Sequence, residues 1–365
     1  MLLYQIALTL LPKIGPKTGK ELVSYCGGVE AVFHESKENL LKIPRIGREL
    51  ARSVKSGDVM KRAEKEMKYI EDHNIQTSFY LDESFPERLK HCDDHPLLLY
   101  SKGNADWNAR KVVSVIGTRK ASDYGKVICE QVVSDLAEHK DLLILSGLAY
   151  GIDSCAHRQA MEADIPTIAV LGHGLDRVYP SANASLARKM VSHGGLITEF
   201  PSRTKPDREN FPRRNRIVAG MADCVLVVES GEKGGAIITA DIANSYNRDV
   251  FAVPGRLNDT YSQGCNNLIK TNRAALIQSA EDIEYIMGWD KKAEKSKAQQ
   301  RKLFVELSQD EETLVEVLKN NGTMGIDELI LETRMNGTKI ASALLNLEFQ
   351  GVVKCLPGKA YCLLD

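Results

Sequence analysis

A chain of 365 residues that is 43% hydrophobic can form two or three domains, with a sizeable core in the largest. Its formal net charge of −1 excludes a chain that is basic throughout, so a polyanion would have to be met by local patches. No apolar run reaches the eighteen or so residues of a membrane helix, and Met1-Leu2-Leu3-Tyr4 opens without a signal-peptide pattern, which predicts a cytoplasmic protein with no membrane span.

Met1 to Ile75 reads as all helical and carries thirteen Lys/Arg against ten Asp/Glu. Within it, Leu11–Gly19 (LPKIGPKTG) and Ile43–Ala51 (IPRIGRELA) share the pattern of a helix-hairpin-helix turn, whose glycines let backbone N–H groups face a phosphate. Lys13 and Arg45 stand where the first glycine of the usual G-h-G belongs. Two readings stay open, sequence-independent DNA contact and plain helical packing.

Thr77–Asn108 is a connecting segment with short strands at Tyr80–Asp82 and Leu97–Ser101. His91 and His95 have the spacing of two metal ligands on one helix face, but Pro96 pushes its neighbour out of helical geometry and predicts a polar loop without a metal. From Arg110 strands and helices alternate. The apolar runs Val112–Gly117, Leu142–Gly147, Thr167–Gly172, Gly195–Glu199, Cys224–Glu229 and Val250–Val253 are six strands, and Ala274–Gln278 offers a seventh. Helical patterns at Tyr124–His139, Asp153–Glu162, Asn183–His193, Arg213–Met221 and Ala236–Asn247 fill the gaps. The alternation predicts an α/β fold, a Rossmann-like doubly wound parallel sheet spanning residues 76–288. The eight cysteines are scattered without a C-x-x-C pair, so no disulfide and no zinc site is expected.

Residues 289–308 are charged and poor in glycine and proline, as in a solvated linker. Residues 309–365 then give three helices, at Glu311–Lys319, Ile326–Glu332 and Gly337–Phe349, and a hairpin of Gly351–Lys354 with Ala360–Leu363 turning at Pro357-Gly358. That order suits a winged helix. This last segment carries five Lys/Arg against nine Asp/Glu, which disfavours phosphate and favours a protein-contacting or regulatory role.

Ligands of an open parallel sheet bind outside the carboxyl ends of its strands. Those ends read GTRKAS (Gly117–Ser122), SGLAYGID (Ser146–Asp153), GHGLDR (Gly172–Arg177), EFP (Glu199–Pro201) with the basic run to Arg216, and SGEKGGA (Ser230–Ala236). Glycines there permit close backbone approach, helix N-termini present N–H groups and arginines supply charge. The candidate contacts for a polyanion are Arg119, Lys120, Ser122, Gly147, Tyr150, Gly174, Arg213, Arg214, Arg216, Gly234 and Gly235. Tyr150 and Tyr179 could stack on nucleic-acid bases, whereas Phe200 and Phe211 read as core. Asp153 and His157, four apart at a helix start, resemble an acid/base pair; a helix cap and a packed imidazole explain them better. Neither a G-x-S-x-G elbow, a Walker loop nor G-x-G-x-x-G is present, so catalytic residues, cofactors and metals are not expected.

The blocks SVIGTRKASDYG (Ser114–Gly125), LSGLAYGIDSCAHRQAM (Leu145–Met161), IAVLGHGLDRVYP (Ile168–Pro180), FPRRNRIVAG (Phe211–Gly220) and VFAVPG (Val250–Gly255) occur in order, and together they resemble the DNA-processing protein DprA (Smf) family of bacteria. The resemblance implies an extended Rossmann-like domain between an N-terminal sterile-alpha-motif-like or hairpin-helix domain and a C-terminal winged helix. It also implies a non-enzymatic homodimer that binds and protects single-stranded DNA and loads the RecA recombinase in natural transformation. The G-[ST]-R loop carries DNA contact over to Arg119, and the FPxRNR block to Arg213, Arg214 and Arg216. The family's dimer and recombinase surface maps to Gly264–Ala274 and beyond, at Asn267, Leu268, Ile269 and Leu276. Two positions depart from the family pattern: Tyr150 replaces the arginine of GLARGID, and Gly234-Gly235-Ala236 replaces an SGS turn. Alternatives are a nucleotide phosphoribohydrolase of the lysine-decarboxylase-like Rossmann family, whose P-G-G-x-G-T-x-x-E signature is incomplete at Lys233–Thr239, and a duplex or junction binder led by the hairpins.

Overall fold

The computed structural model describes residues 1–104, 106–289, 307–356 and 358–364. Six helices open the chain: α1 (Leu2–Leu10), α2 (Pro16–Cys26), α3 (Val29–His34), α4 (Lys37–Leu40), α5 (Arg48–Val54) and α6 (Gly57–Asp72). Lys13 and Arg45 take φ of 62° and 66°, the left-handed conformation that glycine favours, so both hairpins form without the glycine they lack. The turns face each other. Lys13 Nζ donates to Glu49 Oε1 at 2.8 Å and Arg45 Nη1 to Glu21 Oε1 at 3.2 Å, so each hairpin cation already holds a carboxylate of the other repeat.

A nine-stranded sheet follows, made of β1 (Gln76–Phe79), β2 (Leu98–Gly103), β3 (Lys111–Ile116), β4 (Leu142–Ser146), β5 (Thr167–Val170), β6 (Gly194–Thr198), β7 (Cys224–Val227), β8 (Asp249–Ala252) and β9 (Ala275–Leu276). Their order is β1-β2-β6-β5-β4-β3-β7-β8-β9. Strands β3 to β9 run parallel; β2 pairs antiparallel with β6, and β1 with β2. All six expected strands form, as does the seventh. The short strand expected at Tyr80–Asp82 lies earlier, because the Asp82 carboxylate accepts from Phe79 N–H at 2.7 Å and turns the chain there. His95 is buried beside the rings of Tyr80 and Phe85 while His91 is exposed, so the two imidazoles share no face.

Alternate strand residues point to opposite faces, and here both faces are covered. Helices α7 (Glu87–Lys90), α8 (Asp123–Asp135), α9 (Ile152–Glu162) and α10 (Ala184–Met190) precede α11 (Asn210–Gly220) in the chain. Val112, Leu143, Ile168 and Val225 enter one core, completed by α11, α12 (Gly235–Ser245) and α13 (Gln263–Lys270) through Ile217, Ala240 and Leu268. Val113, Ile144 and Leu226 enter the other, with Val132, Ala156 and Ile283 from the helices Asp123–Asp135, Ile152–Glu162 and Ala280–Met287. Double coverage explains why the strands read as near-continuous apolar runs.

At the C-terminal end, helices Gln309–Asn321, Ile326–Thr333 and Gly337–Phe349 pack with β10 (Met324–Gly325), β11 (Val353–Leu356) and β12 (Ala360–Leu363), ordered β10-β12-β11, as a winged helix does. Ser308 opens this part with a capping box, its N–H donating to Glu311 Oε2 at 2.8 Å. Most of the expected linker and Pro357 of the expected turn lie outside the described residues. Among the described residues no helix is long and apolar enough to cross a membrane.

Candidate nucleic-acid interface

Because β3 to β7 are parallel, the loops that leave their carboxyl ends gather on one edge of the sheet. Arg119 and Lys120 come from β3, Tyr150 from β4, Tyr179 from β5 and the run to Arg213 from β6. The Arg119 guanidinium lies 5.5 Å from the centre of the Phe211 ring, the Tyr179 ring is 5.9 Å from the same ring, and Arg213 lies 5.2 Å over Phe200. Phe200 is buried as expected. Phe211 is only half-buried, so its role as core is corrected: it carries Arg119 on the surface of the edge. Tyr150 and Tyr179 expose nearly half their area. Among the described residues no carboxylate pairs with Arg119, Lys120 or Arg213. The edge therefore presents free cations beside accessible rings.

Other candidates turn inward. Helix α11 begins at Asn210, three residues before its expected start, with Pro212 in its first turn where a missing N–H costs nothing. This puts Arg214 and Arg216 in the buried second turn, and both are corrected from DNA contacts to internal supports. Arg214 Nη1 donates to Val170 O at 2.6 Å, lying so close over Gly147 that a Cβ there would meet it at 1.8 Å. Arg216 donates to Asp94 O at 2.6 Å and pairs with the buried Glu199. The Ser122 hydroxyl donates to Glu229 and accepts from Gly125 N–H at 3.1 Å, capping its helix from inside. Gly174 is buried under Pro201, whose carbonyl a Cβ would meet at 2.5 Å. Gly147 and Gly174 are thus glycines because protein atoms approach them. Gly234 and Gly235 differ: both are exposed, and no atom crowds either position within 3.6 Å of a built Cβ.

Glu229, which the sequence did not single out, is 1% exposed and ties the β3 loop to β7: it accepts from Ser122 N–H at 2.9 Å, and its carbonyl from Thr118 N–H at 2.7 Å. Gly151 takes φ of 76° and packs against the same loop, where a Cβ would meet Thr118 O at 2.2 Å. Asp153 does not cap its own helix. Its carboxylate reaches back to Gly147 N–H at 3.1 Å and Ala149 N–H at 3.3 Å, fixing the β4 loop. Burial raises its pKa, with Arg214 pulling the other way.

His157 is wholly buried, bonded to Thr167 Oγ1 at 2.7 Å, and burial pushes its pKa down to about 3; the same cause takes His95 to about 4. Both folded values lie below the ordinary 6.5, so between them the unfolded chain binds more protons than the folded one. The stability these groups contribute is complete above the ordinary value and is lost as pH falls through it towards the folded values. Denaturant midpoints are expected to drop steadily below pH 6.5, and less steeply in His157→Gln.

The proposed interface block divides. Leu268 is fully buried in the core and is withdrawn as a surface residue; Ile269 is partly buried, while Asn267 and Leu276 face outward, Leu276 on the edge strand β9.

A mainly parallel sheet with a cationic, ring-bearing edge, set between a hairpin-helix tandem and a winged helix, defines a three-part Rossmann-like protein. The family model of DNA recombination-mediator protein A matches residues 76–287, the DprA winged helix domain residues 298–359, and the SAM-like helix-hairpin-helix tandem residues 6–57. The chain belongs to the DNA recombination-mediator protein A (DprA, Smf) family. A putative DNA processing protein DprA of Mycobacterium tuberculosis is 35% identical over 274 residues, 74% of this chain and 70% of that one. The X-ray structure of DNA processing protein A from Streptococcus pneumoniae superposes with a TM-score of 0.67 at 31% identity, covering 78% of this chain and 97% of that one. A Helicobacter pylori structure, described for its single-stranded DNA binding mode, gives a TM-score of 0.53 at 27% identity, covering 59% and 97%.

Proposed function

We propose that the chain binds single-stranded DNA along the carboxyl edge of its sheet, protects it and delivers it to a RecA-type recombinase in natural transformation or recombination, acting as a homodimer and by binding rather than catalysis. The observation that carries this reading is the exposed, unpaired Arg119 over the Phe211 ring, with Tyr179 alongside. Cations neutralise phosphates of any sequence, and rings stack on bases that a duplex would keep hidden. The binding mode described for the Helicobacter pylori relative supports the same partner. Asn267 and Leu276, outward-facing near the end of the sheet, are the residues assigned to the dimer or recombinase surface. A hairpin-led duplex reading is weaker, because a phosphate would have to displace Glu49 from Lys13 and Glu21 from Arg45. The hydrolase reading finds no acidic residue in the first turn of α12.

Ultraviolet crosslinking of a single-stranded oligonucleotide, followed by peptide mapping, tests the proposal. Adducts are expected in peptides holding Tyr150, Tyr179 or Phe211. Adducts confined to the hairpins or the winged helix would sink it, and release of free base from nucleoside monophosphates would favour the hydrolase.

A further inference from the structure

The edge does not stop at the sheet. Beyond β6 the chain runs through Ser202, which is buried against α6 by a tight polar latch. Glu66, 1% exposed, accepts from Ser202 N–H at 2.7 Å and from its hydroxyl at 2.6 Å; Arg62 donates to Glu66 Oε2 at 2.8 Å and to Ser202 O at 2.6 Å. Three hydrogen bonds between α6 and Ser202, two of them ending on the buried Glu66 carboxylate, fix the N-terminal helices on the loop after β6, and Arg62 braces that carboxylate from within its own helix. The β5 loop joins the same corner through Asp176, whose Oδ1 accepts from Arg203 N–H at 2.8 Å.

Residues three and four apart share a helix face. Lys61, Lys65 and Lys68 therefore form one stripe, all three exposed, directly beside the latch face of Arg62, Glu66 and Tyr69. On the other side of the latch, the β6 loop exposes Arg203, Lys205 and Arg208. Among the described residues none of these six cations is paired with a carboxylate. Lys61 and Lys65 adjoin Arg62 and Glu66 in the chain and Arg203 adjoins Ser202, so the joint brings exposed cations of both segments to its two flanks, with Glu64, Asp207 and Glu209 exposed among them.

Resting on the proposed single-strand reading of the edge, we propose that the DNA track continues past Ser202 onto α6, with Lys61, Lys65 and Lys68 contacting phosphates of the outer nucleotides. Glu66 is a positioning residue for this extension. The partner is single-stranded DNA leaving the edge, and its length decides whether the stripe is used.

The test is fluorescence anisotropy with the full chain, comparing a short oligothymidylate of about 6 nucleotides with a long one of about 25. A Lys61→Ala/Lys65→Ala/Lys68→Ala variant is expected to bind the short strand like the native chain. On the long strand it should bind more weakly, with a salt slope lower by about 2, the value for three phosphates on a single strand. Glu66→Gln should lose the long-strand advantage while Arg119 dependence persists. Unchanged affinity and slope at both lengths would overturn the extension, and so would equal losses at both, since the lysines would then act through the fold of the edge. If the native chain bound no single strand at all, the edge reading itself would fail and the extension with it.

Discussion

Arg119→Ala is expected to weaken single-strand binding about tenfold or more and to reduce the salt slope by about 0.7, while leaving thermal stability unchanged. The side chain is exposed, pairs with no carboxylate among the described residues, and touches the protein mainly through the Phe211 ring. Its removal breaks no buried interaction. What is lost is a cation held over an aromatic face, where a guanidinium can meet a phosphate with two parallel hydrogen bonds. Arg119→Lys should recover the slope, which counts charge, but only part of the affinity, which also depends on the planar fork. Anisotropy titrations at several salt concentrations, beside a melting curve, separate the two.

The opposite profile is expected of Arg216→Ala. Its guanidinium bridges Asp94 O and Glu199, and the side chains of the pair are only 10% and 7% exposed. Removing one member leaves the Glu199 carboxylate buried without its counter-charge; one of its oxygens already lacks a partner. Breaking a buried pair in this way costs about 3–5 kcal/mol, so the melting temperature should fall by several degrees or more. Arg216→Lys should rescue little, because a single ammonium cannot reproduce a fork directed at two separate acceptors. Arg213→Ala, three residues earlier, should leave the melting curve alone. A native-like melt for Arg216→Ala, with DNA binding abolished, would return Arg216 to the DNA-contacting group.

These contrasting arginines mark where the sequence was legible. Strand positions could be read because burial on both faces demands unbroken apolar runs, and parallel order then placed the loops of Arg119, Tyr150 and Tyr179 on one edge. The fate of Arg214 and Arg216 was a matter of helix phase. Starting α11 at Arg213 leaves all three arginines at a mouth; starting it at Asn210, as Pro212 in the first turn permits, sends two of them inside. The apolar run Ile217-Val218-Ala219 just downstream was the available signal that this turn enters the core.

Glycine was ambiguous for a related reason. A glycine needed for a ligand and one needed for a neighbouring side chain look alike in sequence, and only the approach of Arg214 to Gly147, or of Pro201 to Gly174, tells them apart. The hairpins give the converse case. Lys13 and Arg45 show that a left-handed turn can be held without glycine, at a cost of about 1–2 kcal/mol each, when the surrounding helices fix it. The latch between Glu66 and Ser202 joins positions far apart in the chain, and no local pattern announces it.

If the carboxyl edge of the sheet takes up single-stranded DNA through free cations and accessible rings, titrating the native chain with one sequence in single-stranded and duplex form across a range of salt will show it. Tighter binding of the single strand is expected at every salt concentration, with a preference that persists at high salt because stacking on the rings does not depend on counterion release. Equal affinity for the two forms, or a preference for duplex, would contradict it.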